Sequence, residues 1–194
     1  MAGEPRLDTV WPLRVVRLLV RVNTGIALLC GLALLATVGL VLAEILLRQA
    51  VGRGLGGSDE IAGYVMAGVA AWGFSYALVE RAHVRIDVAT GRLAPPGRSA
   101  FDLLALLSLL AVSGIVTWYG WIVVSRSFLR SSRANTPLET PLWIPHSIWF
   151  GGWAWLTLVA AILTLCVVAL MLQRRFADVQ RVAGASTEGA GEPS

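Results

Sequence analysis

The chain has 194 residues, of which 56% are hydrophobic and only 14% are charged. Soluble globular domains are usually about one quarter charged, so this composition excludes an ordinary soluble domain and predicts an all-α integral membrane protein. All 16 basic residues are arginines, set against 12 acidic residues. Because the arginines flank apolar runs, we attribute them to membrane topology and to contacts with membrane lipids, and we predict no nucleic-acid partner.

The chain opens with a polar segment, residues 1–21, that we predict to lie at the membrane interface on the cytoplasmic side. Within it Arg14, Arg17 and Arg21 fall on one face of a helix. The first transmembrane span follows at about residues 22–47. This segment is therefore predicted to lead the chain along the membrane surface and into the first span.

Glu44 is the one acidic residue inside an apolar run. A charged residue at the bilayer centre costs about 2.5–3.5 kcal/mol on insertion scales, so such a carboxylate is a candidate coupling site for a transporter. Arg48 follows four residues later, which is good spacing for an ion pair on a helix. The pattern favours an interfacial ion pair, and a coupling role for Glu44 stays open.

A glycine-rich connection leads to the second span, at about residues 60–79, and Ser58 or Asp59 is expected to cap this helix. Its many glycines and alanines predict close packing against other helices. Asp59 and Glu60 open the span. They could bind a cation or a partner, although acidic residues also favour the N-terminus of any helix through its dipole.

The remaining elements continue the helical pattern, with a membrane domain over residues 22–173. A basic segment with apolar pairs at helical spacing predicts a short interfacial helix between spans two and three. Span three covers about residues 101–125, and span four about residues 142–172, which is longer than a bilayer requires. Residues 174–194 are predicted to form a cytoplasmic, largely disordered tail.

The distribution of arginines predicts the orientation of the four spans. The two termini and the second connection hold eleven arginines, and the other two connections hold five. The positive-inside rule therefore places both termini in the cytoplasm of a multi-pass protein. Tryptophans cluster at the end of span three and the start of span four, as in an aromatic belt at the outer interface.

No residue pattern indicates catalysis. His83 and His146 are the only histidines, and the predicted topology puts them on opposite sides of the membrane, where they cannot ligate one haem iron. The chain has no glycine-rich phosphate loop and no pairing of a nucleophile with a base. We therefore predict no enzymatic activity, no catalytic residues, no cofactor and no metal site.

Three short motifs follow one another along the four spans. They are the acidic pair Asp59-Glu60, the segment Arg81-Ala82-His83-Val84-Arg85-Ile86-Asp87, and Thr140-Pro141-Leu142-Trp143-Ile144-Pro145. In this order they resemble the DctQ-like small permease subunit of the tripartite ATP-independent periplasmic (TRAP) transporters. The resemblance covers roughly residues 28–172. In the last helix, Trp149-Phe150-Gly151-Gly152 has glycines where the family often has Pro-x-Gly.

The resemblance implies a small, static subunit in a bacterial inner membrane. It implies a large permease subunit, on a separate chain, that carries sodium and substrate, and a periplasmic binding protein that delivers an organic acid. The residues at the membrane surfaces would then serve assembly and orientation. These candidates are Asp59, Glu60, Arg81, His83, Arg85, Asp87, Trp143 and Pro145.

Two other functions remain open at this point. One is a self-contained, proton-coupled small exporter that uses Glu44 as its proton site. The other is a membrane anchor for a redox complex, against which the placement of the two histidines argues.

Overall fold

The computed structural model describes residues 11–54, 56–80 and 95–183, which form a bundle of four long helices and one short helix. All four long helices are long and apolar enough to cross a membrane, so the predicted all-α architecture with four spans is confirmed. The predicted interfacial helix between spans two and three lies outside the described residues, as do residues 184–194. The helices are α1 (Trp11–Val51), α2 (Ser58–Val79), α3 (Pro95–Leu129), α4 (Trp143–Leu172) and α5 (Phe176–Ala183).

Helix α1 runs without interruption for 41 residues. From Trp11 onward, the segment predicted as an interfacial lead-in therefore belongs to the same helix as the first span. Pro12 stands in the first turn, where a proline is tolerated because its missing N–H would have no partner within the helix. The helix ends where Gly52 adopts a left-handed conformation, with φ of 70°.

Helix α2 begins differently from the expectation. Gly57, in the left-handed region with φ of 87°, is the N-cap, and no side chain caps the helix. Ser58 and Asp59 already lie in the first turn, so the prediction that one of them caps the helix is wrong. The carbonyl of Gly57 accepts the first helical hydrogen bond from the amide of Ile61, at 3.1 Å. A glycine replaces the expected polar cap because the chain turns sharply here.

Helices α2 and α4 cross at a pair of glycines. Gly152 faces the backbone of Ala71 so closely that a Cβ atom there would lie 2.7 Å from the Ala71 carbonyl carbon. The neighbouring Gly151 faces the ring of Trp72. The Trp72 indole Nε1 donates a hydrogen bond to the carbonyl of Ile148, at 3.0 Å. Small residues thus bring the two backbones together, as is common in membrane helix pairs.

The packing predicted for the small residues of span two is present on one face only. Gly68 faces Ile148, and Ala71 lies at the crossing with α4. Gly63 and Gly73 meet nothing within 4 Å, even with a Cβ atom added. The abundance of small residues in a span therefore predicts that its helix can pack closely against another helix. It does not predict which face of the helix makes the contact.

The apolar core lies toward the end of the bundle where α1 begins and α5 packs, which we call the terminal end. Helix α4 is the most buried of the four long helices and α1 the least. Between them, the buried side chain of Asn23 accepts a hydrogen bond from Trp155 Nε1 at 3.1 Å. The core side chains are Leu19, Leu78, Val79, Leu106, Leu156, Val159, Ala160, Leu163, Val167, Leu170, Val179 and Val182.

Helix α5 occupies residues that we expected to begin a largely disordered tail. Its Val179 and Val182 are buried in the core, 0% and 5% exposed. The helix turns back against α3 and α4, after Arg174 adopts a left-handed conformation with φ of 56°. Eight residues are too few to register as a span, so hydropathy alone does not reveal this helix.

Candidate functional site

The connections between α1 and α2 and between α3 and α4 meet at the opposite end of the bundle, which we call the loop end. An acidic cleft of about 660 Å³ opens there between the start of α2 and the second of these connections. Its two carboxylates are the acidic pair identified in the sequence. The cleft is lined by Gly57, Asp59, Glu60, Gly63, Tyr64, Thr136 and Pro137.

The carboxylate of Glu60 lies on the inner wall of the acidic cleft. Its Oε1 atom accepts a hydrogen bond of 2.7 Å from the hydroxyl of Tyr64, one helical turn away. The hydroxyls of Thr136 and Thr140 and the amide of Leu138 also surround this carboxylate. Its Oε2 atom is buried, with no partner at hydrogen-bonding distance and angle among the described residues.

Asp59 has a different position from its neighbour. Its side chain is exposed at the rim of the acidic cleft, whereas that of Glu60 is held by contacts within the bundle. One carboxylate therefore ties the start of α2 to the α3–α4 connection, and the other faces outward. Among the described residues, no group of three or more His, Cys, Asp or Glu side chains could hold a metal ion. The cleft is chemically suited to a cationic side chain.

An apolar groove of about 430 Å³ adjoins the acidic cleft. Helices α1 and α4 both pack against α2. The groove lies between them, with α2 as its floor and α1 and the start of α4 as its walls. Tyr64 borders both the groove and the cleft, and Pro145 lines the groove at the start of α4. The cleft and the groove thus meet at Tyr64, where the acidic surface at the start of α2 continues into an apolar surface between α1 and α4.

The start of α4 is fixed to α3 by two contacts. The Oγ of Ser127 lies 2.8 Å from Nδ1 of His146, which is hydrogen-bonding distance. The rings of Phe128 and Trp143 meet edge to face, with centroids 6.1 Å apart. Trp143 nevertheless remains 41% exposed. His146 therefore has a hydrogen-bonding partner on α3. The ring of Trp143 is partly exposed on the outer surface of the bundle.

Glu44 forms the ion pair that its spacing predicts, with Oε1 3.0 Å from a guanidinium nitrogen of Arg48. The Glu44 side chain is 6% exposed, whereas Arg48 lies at the surface. Gly54, in the α1–α2 connection, lies directly over the carboxylate, so that any side chain at this position would strike it. Glu44 thus lies beneath the α1–α2 connection at the loop end, about two turns before α1 ends.

Replacing Glu44 with glutamine tests the open coupling role, and it should have little effect on substrate uptake. The amide oxygen can still accept a hydrogen bond from Arg48, and the side chain keeps its size beneath Gly54. Substrate uptake in membrane vesicles at several pH values measures this, with Glu60→Gln as a comparison at the same end of the bundle. Loss of proton-coupled transport in Glu44→Gln alone would identify Glu44 as a coupling site.

The structure brings five of the candidate residues to the loop end and leaves four outside its described part. Glu44, Asp59, Glu60, Trp143 and Pro145 lie at or near the two connections there. Arg81, His83, Arg85 and Asp87 lie outside the described residues, and their assignment to assembly stays a prediction.

Sequence reasoning missed the partners of Glu60. Tyr64 follows Glu60 by four residues, so helical spacing alone could have indicated their hydrogen bond. Thr136 and Leu138 belong to a connection more than 70 residues later in the chain. No local pattern points to a contact over that distance.

The family described as tripartite ATP-independent periplasmic transporters, DctQ component, matches residues 37–171 of this chain. Comparison with curated proteins gives no match, and comparison with solved structures gives none either. The matched region includes the end of α1, both connections at the loop end and nearly all of α4. It therefore contains the acidic cleft, the glycine crossing and the α2 and α4 walls of the groove, whereas the α1 wall of the groove lies before it. This multi-pass membrane protein belongs to the DctQ family of small subunits of TRAP transporters.

Proposed function

We propose that this chain is the static membrane scaffold of a TRAP transporter in a bacterial inner membrane, with both termini in the cytoplasm. It holds a large permease subunit, encoded as a separate chain, which carries out sodium-driven uptake of an organic acid. A periplasmic binding protein delivers that acid to the complex. Family membership supports the assignment to a TRAP transporter, and the arginine distribution supports the orientation.

The observation that carries the scaffold role is the near absence of charge inside the spans. Between residues 22 and 47, 61 and 79, 103 and 125, and 142 and 172, the only charged side chain is Glu44. Glu44 is paired with Arg48 at one end of its helix. Substrate and ion pathways through membranes need polar or ionisable groups along their length. Transport chemistry is therefore assigned to the partner chain.

Affinity purification of the tagged chain from gently solubilised membranes, followed by mass identification, tests this proposal. A much larger multi-span protein should be recovered in about equal amount, and a sodium gradient should drive uptake by the reconstituted complex. Recovery of the chain alone, as a monomer or a homo-oligomer, would contradict the scaffold role.

The acidic pair is expected to contribute to assembly with the large subunit. Replacing both Asp59 and Glu60 with alanine removes the outward carboxylate and the link between α2 and the α3–α4 connection. Recovery of the large subunit should therefore fall several-fold in the affinity purification. The exposed Glu80, at the other end of α2, provides a matched control, and Glu80→Ala should leave recovery unchanged. Normal recovery and full uptake in the double variant would refute a role in assembly.

A further inference from the structure

An arginine stripe runs along the first turns of α1 at the terminal end of the bundle. Arg14, Arg17 and Arg21 fall within about 60° of arc on the helix, and Leu18 borders them. Together these four side chains line a shallow concavity of about 340 Å³. All four are exposed. The stripe therefore presents three guanidinium groups along one line of the surface.

Packing on the opposite face of α1 fixes the direction in which the stripe points. Leu19 and Asn23 are buried there, and Leu13 and Val16 pack against the apolar core. The hydrogen bond from Trp155 to Asn23 holds this face against α4. The helix cannot rotate without breaking these contacts, so the stripe is held facing away from the bundle.

The length of α1 places the stripe at the depth of lipid headgroups. The apolar run of the first span begins at Val22, directly after Arg21. Along a helix, Arg14 lies about 10 Å further out than Arg21. The headgroup layer on each side of a bilayer is about 5–8 Å thick. The backbones of Arg21 and Arg17 therefore lie within this layer, and that of Arg14 lies just outside it, so that its long side chain can reach back to the headgroups.

The chemistry of the stripe favours a phosphate-bearing lipid over a protein partner. A guanidinium group can donate two parallel hydrogen bonds to a phosphate, and three of them in a row attract negative charge. Protein interfaces usually have an apolar or aromatic centre that is depleted in charge. The stripe has Leu18 as its only apolar member. The positive-inside rule requires arginines at this end, but it does not require that they share one face.

We propose that Arg14, Arg17 and Arg21 form a binding site for the headgroup of an anionic phospholipid in the membrane leaflet around the terminal end. The phosphate lies among the guanidinium groups, and the acyl chains descend beside Leu18 and the apolar surface of α1. This lipid holds α1, the least buried span, in its place at the edge of the bundle. The site lies at the opposite end of the bundle from the acidic cleft.

Native mass spectrometry of the purified full chain tests this site, with phosphatidylglycerol and phosphatidylcholine of identical acyl chains added in equal amounts. The wild-type chain should retain phosphatidylglycerol preferentially. The triple variant Arg14→Gln, Arg17→Gln, Arg21→Gln should lose that preference by about tenfold or more, since each basic residue near an anionic surface contributes appreciably. A control triple variant, Arg53→Gln, Arg126→Gln, Arg130→Gln, removes three exposed arginines from the loop end and should keep the preference.

Circular dichroism establishes that each variant remains helical, and Arg17→Gln alone provides a milder change at the centre of the stripe. That single variant should reduce the preference partially. Equal retention of phosphatidylglycerol by the wild-type and stripe variants would overturn the proposal. The test uses the isolated chain, so its failure would leave the proposed scaffold function unaffected.

Discussion

Replacing Gly152 with alanine should lower the melting temperature of the purified protein by several degrees. The new Cβ atom would lie 2.7 Å from the Ala71 carbonyl carbon and 2.8 Å from the Trp72 nitrogen. These are backbone atoms in a neighbouring helix, so the clash cannot be relieved by turning a side chain. Overpacking of this kind costs about 1–3 kcal/mol. Thermal unfolding in mild detergent, followed by circular dichroism, measures the change.

Gly73→Ala provides the matched control for this prediction. Gly73 lies in the other helix of the pair, and an added Cβ atom there meets nothing within 4 Å. Alanine also favours helix more than glycine does, so Gly73→Ala should be neutral or slightly stabilising. Equal melting temperatures for the two variants would show that the crossing of α2 and α4 does not determine stability.

Replacing Gly57 with alanine should also lower the melting temperature, because it adds backbone strain and a steric clash. Gly57 has φ of 87°, a conformation that costs an L-residue about 1–2 kcal/mol. Its added Cβ atom would also strike the side chain of Leu138, which lies across the start of α2. We expect a lower melting temperature and a weaker attachment of the α3–α4 connection to the acidic cleft.

Gly56→Ala separates these two costs. Gly56 also has a positive φ, of 70°, but a Cβ atom there meets nothing within 4 Å. Its substitution should therefore cost only the backbone strain, and less than Gly57→Ala. In a Leu138→Ala background the two substitutions should have similar effects, since the clash is then removed. A difference that persists in that background would rule out Leu138 as its cause.

The sequence predicts those features that depend on neighbours along the chain. Four spans follow from hydropathy, and the pairing of Glu44 with Arg48 follows from their spacing of four residues. Each of these features is determined by residues within a single helix. The prediction needs no knowledge of how the helices are arranged in space.

Features that depend on tertiary packing are not predictable from the same patterns. Gly73 and Gly152 look equivalent in the sequence, yet only Gly152 lies at a helix crossing. Glu60 meets Thr136 because two distant connections fold together. Helix α5 is amphipathic and short, and it is stabilised by burying Val179 and Val182 against other helices.

The central position of α4 has a consequence for biosynthesis. Helix α4 contacts α1, α2, α3 and α5, whereas α2 and α3 have no substantial contact with each other among the described residues. The ribosome makes α4 after the other three spans. The α1–α2 pair can therefore associate as soon as both have entered the bilayer, but α3 has no stable neighbour until α4 arrives. Assembly of this subunit is completed only near the end of translation, when its last span joins the earlier ones.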